Sequence, residues 1–557
     1  MFVRCQTRDL VTVAPNPADD RLESWKAIAA YLKRGVRTVR RWEREEGLPV
    51  HRHVHRVLGS VYASKLEIDA WQQQDRRSPV REPDKPDVET GPSSIAVLPF
   101  ANLSTNSENE YFADGLTEEI AALLSRVRSL RVTSRTSSAR FKGGAKDAKV
   151  ISRELGVRYL LEGSVRRVGE RLRVTAQLID ARADDHLWAE SYDGNVEDVF
   201  GIQERIARVI VRALELRLTR EEDQRLAERA IDNFHAYECY LRARQQGWRW
   251  RKDAIDQAVQ LLRNGLTLLG DNARLYAALG VAYLQYREAG IDFGEWPIVE
   301  AEVCVRNTFE LGPESAAGFQ LRGWIHYARG QIQDAVRDLK LALALEPNDA
   351  DTLLLLSNCY LISGRVSAAR PLLQHLAAVD PLTPLTRCMP AFADLVEGQF
   401  DAAVGPYRQM FEMDPGNPMA RLFYVWVLLV NGRDEVIPQL VDDFPVEVRE
   451  TVPGRVAFFI KDVVSAKRFG TSLPEITTGI EAAANGTDVF ARILADGYAL
   501  AGLTGPAMHW LEVAVARGFI NHEFLSRLDP LLGSLRGEAR FQQLMLVVRG
   551  RWERFEP

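Results

Sequence analysis

Apolar and polar positions fall into three regimes along the chain. Near the amino terminus Trp25, Ile28, Ala29 and Leu32 recur at helical spacing behind Ser24, a good capping residue, and predict a short helix. Gly35 breaks it, and residues 36–45 predict a second helix with Val39 and Trp42 on its buried side. Residues 50–54 and 60–63, around Gly59, predict a small hairpin; Leu66, Ala70 and Trp71 mark the buried side of a third helix. The second regime mixes strands and helices. Residues 95–100 (IAVLPF) form a continuous apolar strand pattern, helices are predicted over 113–126 and 149–155, and a short strand over 131–134. Residues 159–168 and 171–180 face each other across Gly169 and Glu170 as a hairpin, followed by a strand over 186–192 and an amphipathic helix over 199–218. From about Phe234 the pattern is helical to the end.

That helical half carries a ladder. Gly330, Gly364, Gly398 and Gly432 stand 34 apart, as do Ala335, Ala369 and Ala403, and Pro313, Pro347, Pro381 and Pro415. Gly suits a chain reversal between helices, Ala a close helix approach, and Pro the passage to the next unit. The period and offsets resemble the tetratricopeptide repeat, a helix-turn-helix pair of 34 residues. The spacing from Ala258 to Ala301 implies an insertion of 9 residues, placed at 290–296. The register decays at Ile437 and Pro438 and recovers with Ala495, Tyr498, Gly502 and Ala507, giving six or seven units and a closing cap. The resemblance implies a concave groove for a protein or peptide, lined by Phe319, Arg322, His326, Leu353 and Asn358.

Charge changes the picture of the amino-terminal segment. Residues 21–77 hold 13 Lys plus Arg against 7 Asp plus Glu, leaving 58 against 69 for the rest of a chain whose net charge is -5. A basic excess confined to one small module is the footprint of a polyanion partner. The order of helix, turn, helix, hairpin and closing helix resembles the winged helix-turn-helix of the MerR and phage-excisionase type. The resemblance implies contact with double-stranded DNA by Arg37, Thr38, Arg40, Arg41 and Arg44 on the second helix and by Arg52, His53 and Arg56 on the wing. The alternative is a solvated helix face paired with Glu43, Glu45 and Glu46. His51, His53 and His55 alternate on a strand but have no Cys or carboxylate at ligand spacing, so no metal is assigned.

The middle regime, with SIAVLPFANLS, YFADGLTEEI and HLWAESYDG, resembles the TolB-like amino-terminal domain, found in bacterial signalling proteins between an effector head and tetratricopeptide repeats. Asp114, Glu118 and Glu119 form an acidic cluster where a helix dipole already favours carboxylates. Phosphate-binding lysine loops, kinase motifs and the nucleophile elbow are missing, so neither an enzyme nor a cofactor is expected.

The expected organisation is therefore multidomain, α plus α/β: a leader over 1–20, a winged module over 21–75, a linker over 76–93, a TolB-like domain over 94–220 and a repeat array over 230–557. No apolar stretch is long enough to span a bilayer, and a cytoplasmic location is expected. Five scattered cysteines read as free thiols. The expected function is transcriptional regulation through DNA, with a protein partner on the repeats and a homodimer raising avidity; the alternative is a repeat scaffold that does not bind DNA.

Overall fold

A computed structural model of the chain describes residues 21–32, 34–45, 48–52, 61–75, 93–104, 109–144, 147–247, 249, 251–470, 472–473 and 475–557. The chain divides into two compact units, residues 1–91 and 92–557.

In the first unit, β1 (Arg21–Leu22) precedes α1 (Trp25–Tyr31) and α2 (Val36–Glu45); β2 (His51–Arg52), β3 (Val61–Ser64) and α3 (Lys65–Asp75) follow. Both outer strands pair antiparallel with β3, in the order β1-β3-β2. Ser24 caps α1, its Oγ accepting from the Ala27 amide at 3.1 Å. Ile28, Val39, Ala63 and Ile68 form a core sealed by Trp25, Trp42 and Trp71. The expected buried face of α3 holds at Trp71 but not at Leu66, which is 62% exposed while Ile68 is fully buried. The reason is helical phase: at about 100° per residue, position 66 lies about 160° round the helix from Ile68.

The second unit begins with a sheet of β4 (Ser93–Val97), β5 (Ala101–Asn102), β6 (Leu130–Val132), β7 (Tyr159–Val168), β8 (Arg171–Asp180) and β9 (Asp185–Asn195), ordered β6-β4-β7-β8-β9 with β5 beside β7. β4 runs parallel to β6 and β7, while β7, β8 and β9 are antiparallel. Ile95 and Val97 pack on one face against α4 (Glu110–Ser125) and later α7 (Val199–Ala213). Ala96 and Leu98 pack on the other, near α5 (Arg135–Ala139) and α6 (Ala148–Leu155), with Phe141, Ile151 and Leu155. Both faces being covered is why this strand reads as an unbroken apolar run. β7 and β8 pair without slippage from Tyr159↔Asp180 to Val168↔Arg171, Gly169 supplying a left-handed turn at φ 57°. The long helix expected over 199–218 stops at Ala213, and α8 (Arg220–Ala227) leads on.

Helix pairs follow: α9 (Phe234–Gly247) with α10 (Lys252–Leu269), α11 (Ala273–Glu288) with α12 (Trp296–Leu311), and α13 (Ala316–Ala328) with α14 (Ile332–Leu345). Next come α15 (Ala350–Ile362) with α16 (Val366–Val379), α17 (Pro384–Val396) with α18 (Phe400–Met413), and α19 (Pro418–Val430) with the short α20 (Ile437–Asp442). Beyond these lie α21 (Val446–Arg449), α22 (Val452–Phe469), α23 (Thr478–Gly486), α24 (Asp488–Leu500), α25 (Thr504–Ala516) and α26 (Ala539–Arg554). Gly330, Gly364, Gly398 and Gly432 sit between the helices of their pairs at φ 73°, 69°, 87° and 64°, left-handed values that only Gly adopts without strain. Ala335, Ala369 and Ala403 are fully buried where paired helices meet. The insertion between α11 and α12 is clasped by Arg287, whose guanidinium donates to the Phe293, Gly294 and Gly486 carbonyls at 2.6, 3.0 and 2.9 Å.

The array is held at both edges. On the side of the inter-repeat loops, Asn348 donates to the Leu130 carbonyl at 3.0 Å, Arg131 to the Ala378 carbonyl at 2.7 Å and the Ser134 amide to the Val379 carbonyl at 2.7 Å. On the side of the glycine turns, the Ile520 amide donates to the Ile362 carbonyl at 2.9 Å and Arg365 to the Phe555 carbonyl at 3.0 Å. Among the described cysteines, Cys304, Cys359 and Cys388 are buried free thiols and Cys239 is half-buried. No described helix is long and apolar enough to cross a membrane.

Candidate functional site

Two surfaces were expected to carry function: the basic helix of the first unit and the groove of the repeats. α2 turns Val36, Val39 and Trp42 toward the core. Arg40 is exposed, its guanidinium 5.2 Å from the Trp25 ring centroid, and Thr38 is half-buried. Arg52 on β2 is exposed but paired, donating to Glu43 of α2 at 2.7 Å. Such a surface pair contributes at most about 1 kcal/mol, little enough for a phosphate to displace it. His51 meets Glu67 at 2.7 Å and stacks on Tyr62. His53, His55 and Arg56 lie outside the described residues.

Of the five groove residues, Leu353 is placed differently from expectation and the other four are part-exposed. Leu353 is 2% exposed and belongs to the core between helix pairs, so it lines no surface. Arg322 forms a two-point pair with the buried Asp338 of α14, at 2.7 and 2.6 Å, and lies over Phe309 and Phe319. His326 meets Gln331 at 2.7 Å, and Asn358 donates to the Tyr327 hydroxyl at 3.2 Å. Phe319 packs on Phe309 of α12. Leu353 thus serves the packing of neighbouring helices, while Phe319, Arg322, His326 and Asn358 combine part-exposure with contacts inside the chain.

What occupies the first helices is the chain itself. Tyr327 of α13 donates to Asp488 at 3.1 Å, and Trp426 of α19 donates through Nε1 to Asp496 at 3.0 Å, both acceptors lying on α24. α24 buries residues on every side, including Phe490, Arg492, Ile493, Leu494 and Tyr498. Arg492 is sandwiched between rings, 4.2 Å from the Trp426 centroid and 4.8 Å from that of Phe519. Burial pushes the carboxyls of Asp488, Asp496 and Asp529 upward, and the nearby Asp529 raises Asp496 further. The sequence carries no signal for this: Asp488, Arg492 and Asp496, at i, i+4 and i+8, give DVFARILADGYAL one charged face like that of a surface helix, yet all three are buried.

The acidic cluster of the sheet segment is accounted for by ion pairs. Asp114 meets Lys142 at 2.6 Å, Glu118 meets Arg135 at 3.4 Å and also Arg244, and Glu119 meets Arg274 at 2.7 Å.

Comparison with known proteins divides the chain along these lines. Residues 91–209 match the HilA/YgeH-like transcriptional regulator, second domain. Residues 326–385 match the tetratricopeptide repeat. The HilA/YgeH-like match covers the sheet together with α4 to α6 and most of α7. Putative adenylate cyclase 3 of Rhizobium meliloti (strain 1021) is 41% identical over 224 residues, which is 39% of this chain and 38% of that relative. Among solved structures, a thermophilic TPR protein of Thermus thermophilus is 19% identical over 35% of this chain and 99% of its own, with a TM-score of 0.29. Human IFIT1 is 12% identical over 72% and 94%, with a TM-score of 0.37. The repeat assignment rests on the family match and on the periodic glycine turns.

Proposed function

We propose that the protein is a DNA-binding transcriptional regulator. The observation that carries the reading is the pairing of a regulator-type domain over residues 91–209 with a basic three-helix module directly before it. In this reading residues 21–75 are a winged helix-turn-helix that lays α2 in the major groove. Arg37, Thr38, Arg40, Arg41 and Arg44 would then meet bases and phosphates, and Arg52, His53 and Arg56 the flanking backbone. One small module makes few phosphate contacts, so a homodimer or clustered sites would supply the affinity. Residues 94–220 are read as a TolB-like domain, and the repeats as the meeting point for a protein partner, in the cytoplasm where the DNA is. The relative named as an adenylate cyclase shares only 38% of its length with this chain, so its printed activity is not carried over in this reading.

The test is fluorescence anisotropy of the full chain on genomic fragments enriched by it, beside a variant carrying Arg37→Ala, Arg40→Ala and Arg41→Ala. Discrete enriched sites are expected, with affinity falling steeply with salt, and the variant should lose both affinity and about one unit of salt slope per phosphate contact removed. Background binding that is insensitive to salt and equal in both proteins would favour the second reading, a scaffold whose head binds protein. That reading draws on the Arg52–Glu43 pair, which already satisfies one of the expected DNA contacts internally.

A further inference from the structure

Neither DNA binding nor repeat packing explains a cleft at the edge of the sheet. β4 leads into α4 on one side of the sheet and its parallel neighbour β6 leads into α5 and α6 on the other, so the chain leaves these two adjacent carboxyl ends in opposite directions and a crevice opens between them. In open α/β sheets, ligands bind in crevices outside the carboxyl ends of the strands. Here a cleft of about 80 Å³ opens at that place, between Val97 and Pro99 after β4, Thr133 after β6, and the helices α4 and α5. A single water needs about 10–15 Å³, so the space exceeds what one or two waters fill.

Two of its walls are unusual. Thr133 and Ser138 are each 2% exposed, both line the cleft, and the hydroxyl of each has no hydrogen-bond partner among the described residues. Buried hydroxyls are normally paired, so two such hydroxyls on residues lining one space mark a ligand or water position. Their backbones are fixed, the Thr133 amide donating to the Ile95 carbonyl at 2.9 Å and the Ser138 amide to the Ser134 carbonyl at 3.1 Å. The charged lining is balanced: Arg135 and Lys142 stand against Asp114 and Glu118. A plain anion would meet two carboxylates here, and a plain cation two basic groups.

We infer that this cleft binds a small zwitterion of the size of a free α-amino acid. The carboxylate is taken by the Thr133 and Ser138 hydroxyls with Arg135 or Lys142, and the ammonium by Asp114 or Glu118. Occupancy is felt by the repeats, because α5 is shared. Its far side is tied to the loop between α16 and α17: Ser134 and Ser137 both donate to Asp380, the Leu382 amide donates to Ser137 Oγ at 2.9 Å, and Arg140 donates to the Leu382 carbonyl at 2.8 Å. The site stands independently of whether the head binds DNA.

The test is calorimetric titration of the full chain with each of the twenty protein amino acids at millimolar concentration, with acetate and phosphate as companion probes. At least one amino acid should bind and raise the unfolding temperature, and Thr133→Val combined with Ser138→Ala should weaken it about tenfold or more. Lys142→Met, at the half-exposed edge of the cleft, provides the same reading if the double variant does not fold. Binding of acetate or phosphate without any amino acid would overturn the zwitterion. No binding by any of the twenty, or binding that both variants leave unchanged, would overturn the site.

Discussion

The repeat glycines are occupied by two different demands, and matched substitutions separate them. Gly330 and Gly432 hold the same place in their repeats and nearly the same backbone, φ 73° and 64°. An Ala at either position pays for the left-handed conformation, about 1–2 kcal/mol. At Gly432 the added Cβ would meet nothing within 4 Å. At Gly330 it would stand 2.5 Å from the Ala516 carbonyl oxygen and 3.0 Å from the Arg517 backbone, neither of which can swing away as a side chain tip can. Gly330→Ala therefore adds an overpacking cost of about 1–3 kcal/mol, felt where the carboxy-terminal segment docks. Gly364→Ala should fall between the two, because its Cβ would strike the side chains of Asn521 and Trp552 at 2.8 and 3.0 Å. Gly398→Ala, which meets only Leu528 at 3.4 Å, should resemble Gly432→Ala. The assay is the denaturant midpoint of each single variant, with hydrogen exchange at amides 516–521 as a second reading. Equal midpoints for Gly330→Ala and Gly432→Ala, with protection at 516–521 unchanged, would refute the docking.

Two further substitutions address the helix buried among the repeats. Trp426→Phe keeps a ring against Arg492 but removes the donor to Asp496, and should cost about 1–3 kcal/mol in urea unfolding; a loss within error would mean that Asp496 is satisfied by other groups. Asp496 holds its proton in the folded chain at pH values where the unfolded chain has lost it. Its contribution to stability is therefore complete below the ordinary carboxylate range and declines as pH rises through its raised value. Asp496→Asn should flatten that decline, so the gap in unfolding temperature between variant and parent should move in favour of the variant from pH 5 to pH 9, about the range of ordinary titrations. A constant gap would show that Asp496 titrates normally.

The parts legible in the sequence are those fixed by local sterics. A left-handed turn demands Gly and a close helix crossing demands Ala, so the 34-residue ladder placed the helix pairs, and Gly169 placed the β7–β8 turn. The α5 helix was not legible: RTSSA has no apolar period, and it folds because Ser134 caps it and Asp380, far along the chain, holds it. Leu66 stands about 160° round α3 from Ile68, so the two cannot share the face that meets the core. Leu353, expected in the groove and found in the core, differs for another reason. A repeat period specifies how each unit meets its neighbours, and Arg322 with Asp338 is that kind of contact; it does not say where the superhelix curls back on itself. Tyr327 meets Asp488 across 161 positions and Trp426 meets Asp496 across 70, separations no periodic pattern encodes.

Filling the groove from within changes what a partner can do there. Withdrawing α24 would return Phe490, Ile493, Leu494 and Tyr498 to water, and each such side chain loses about 1.5–3 kcal/mol, so displacement costs on the order of 6–12 kcal/mol before Arg492 and its carboxylates are counted. A partner of micromolar affinity supplies about 8 kcal/mol in all. An incoming peptide would have to meet that cost and still retain affinity of its own, which an ordinary groove ligand cannot. A partner that left α24 in place would meet no such cost, and the inner helices would then act as the frame that joins the sheet segment to the carboxy-terminal cap.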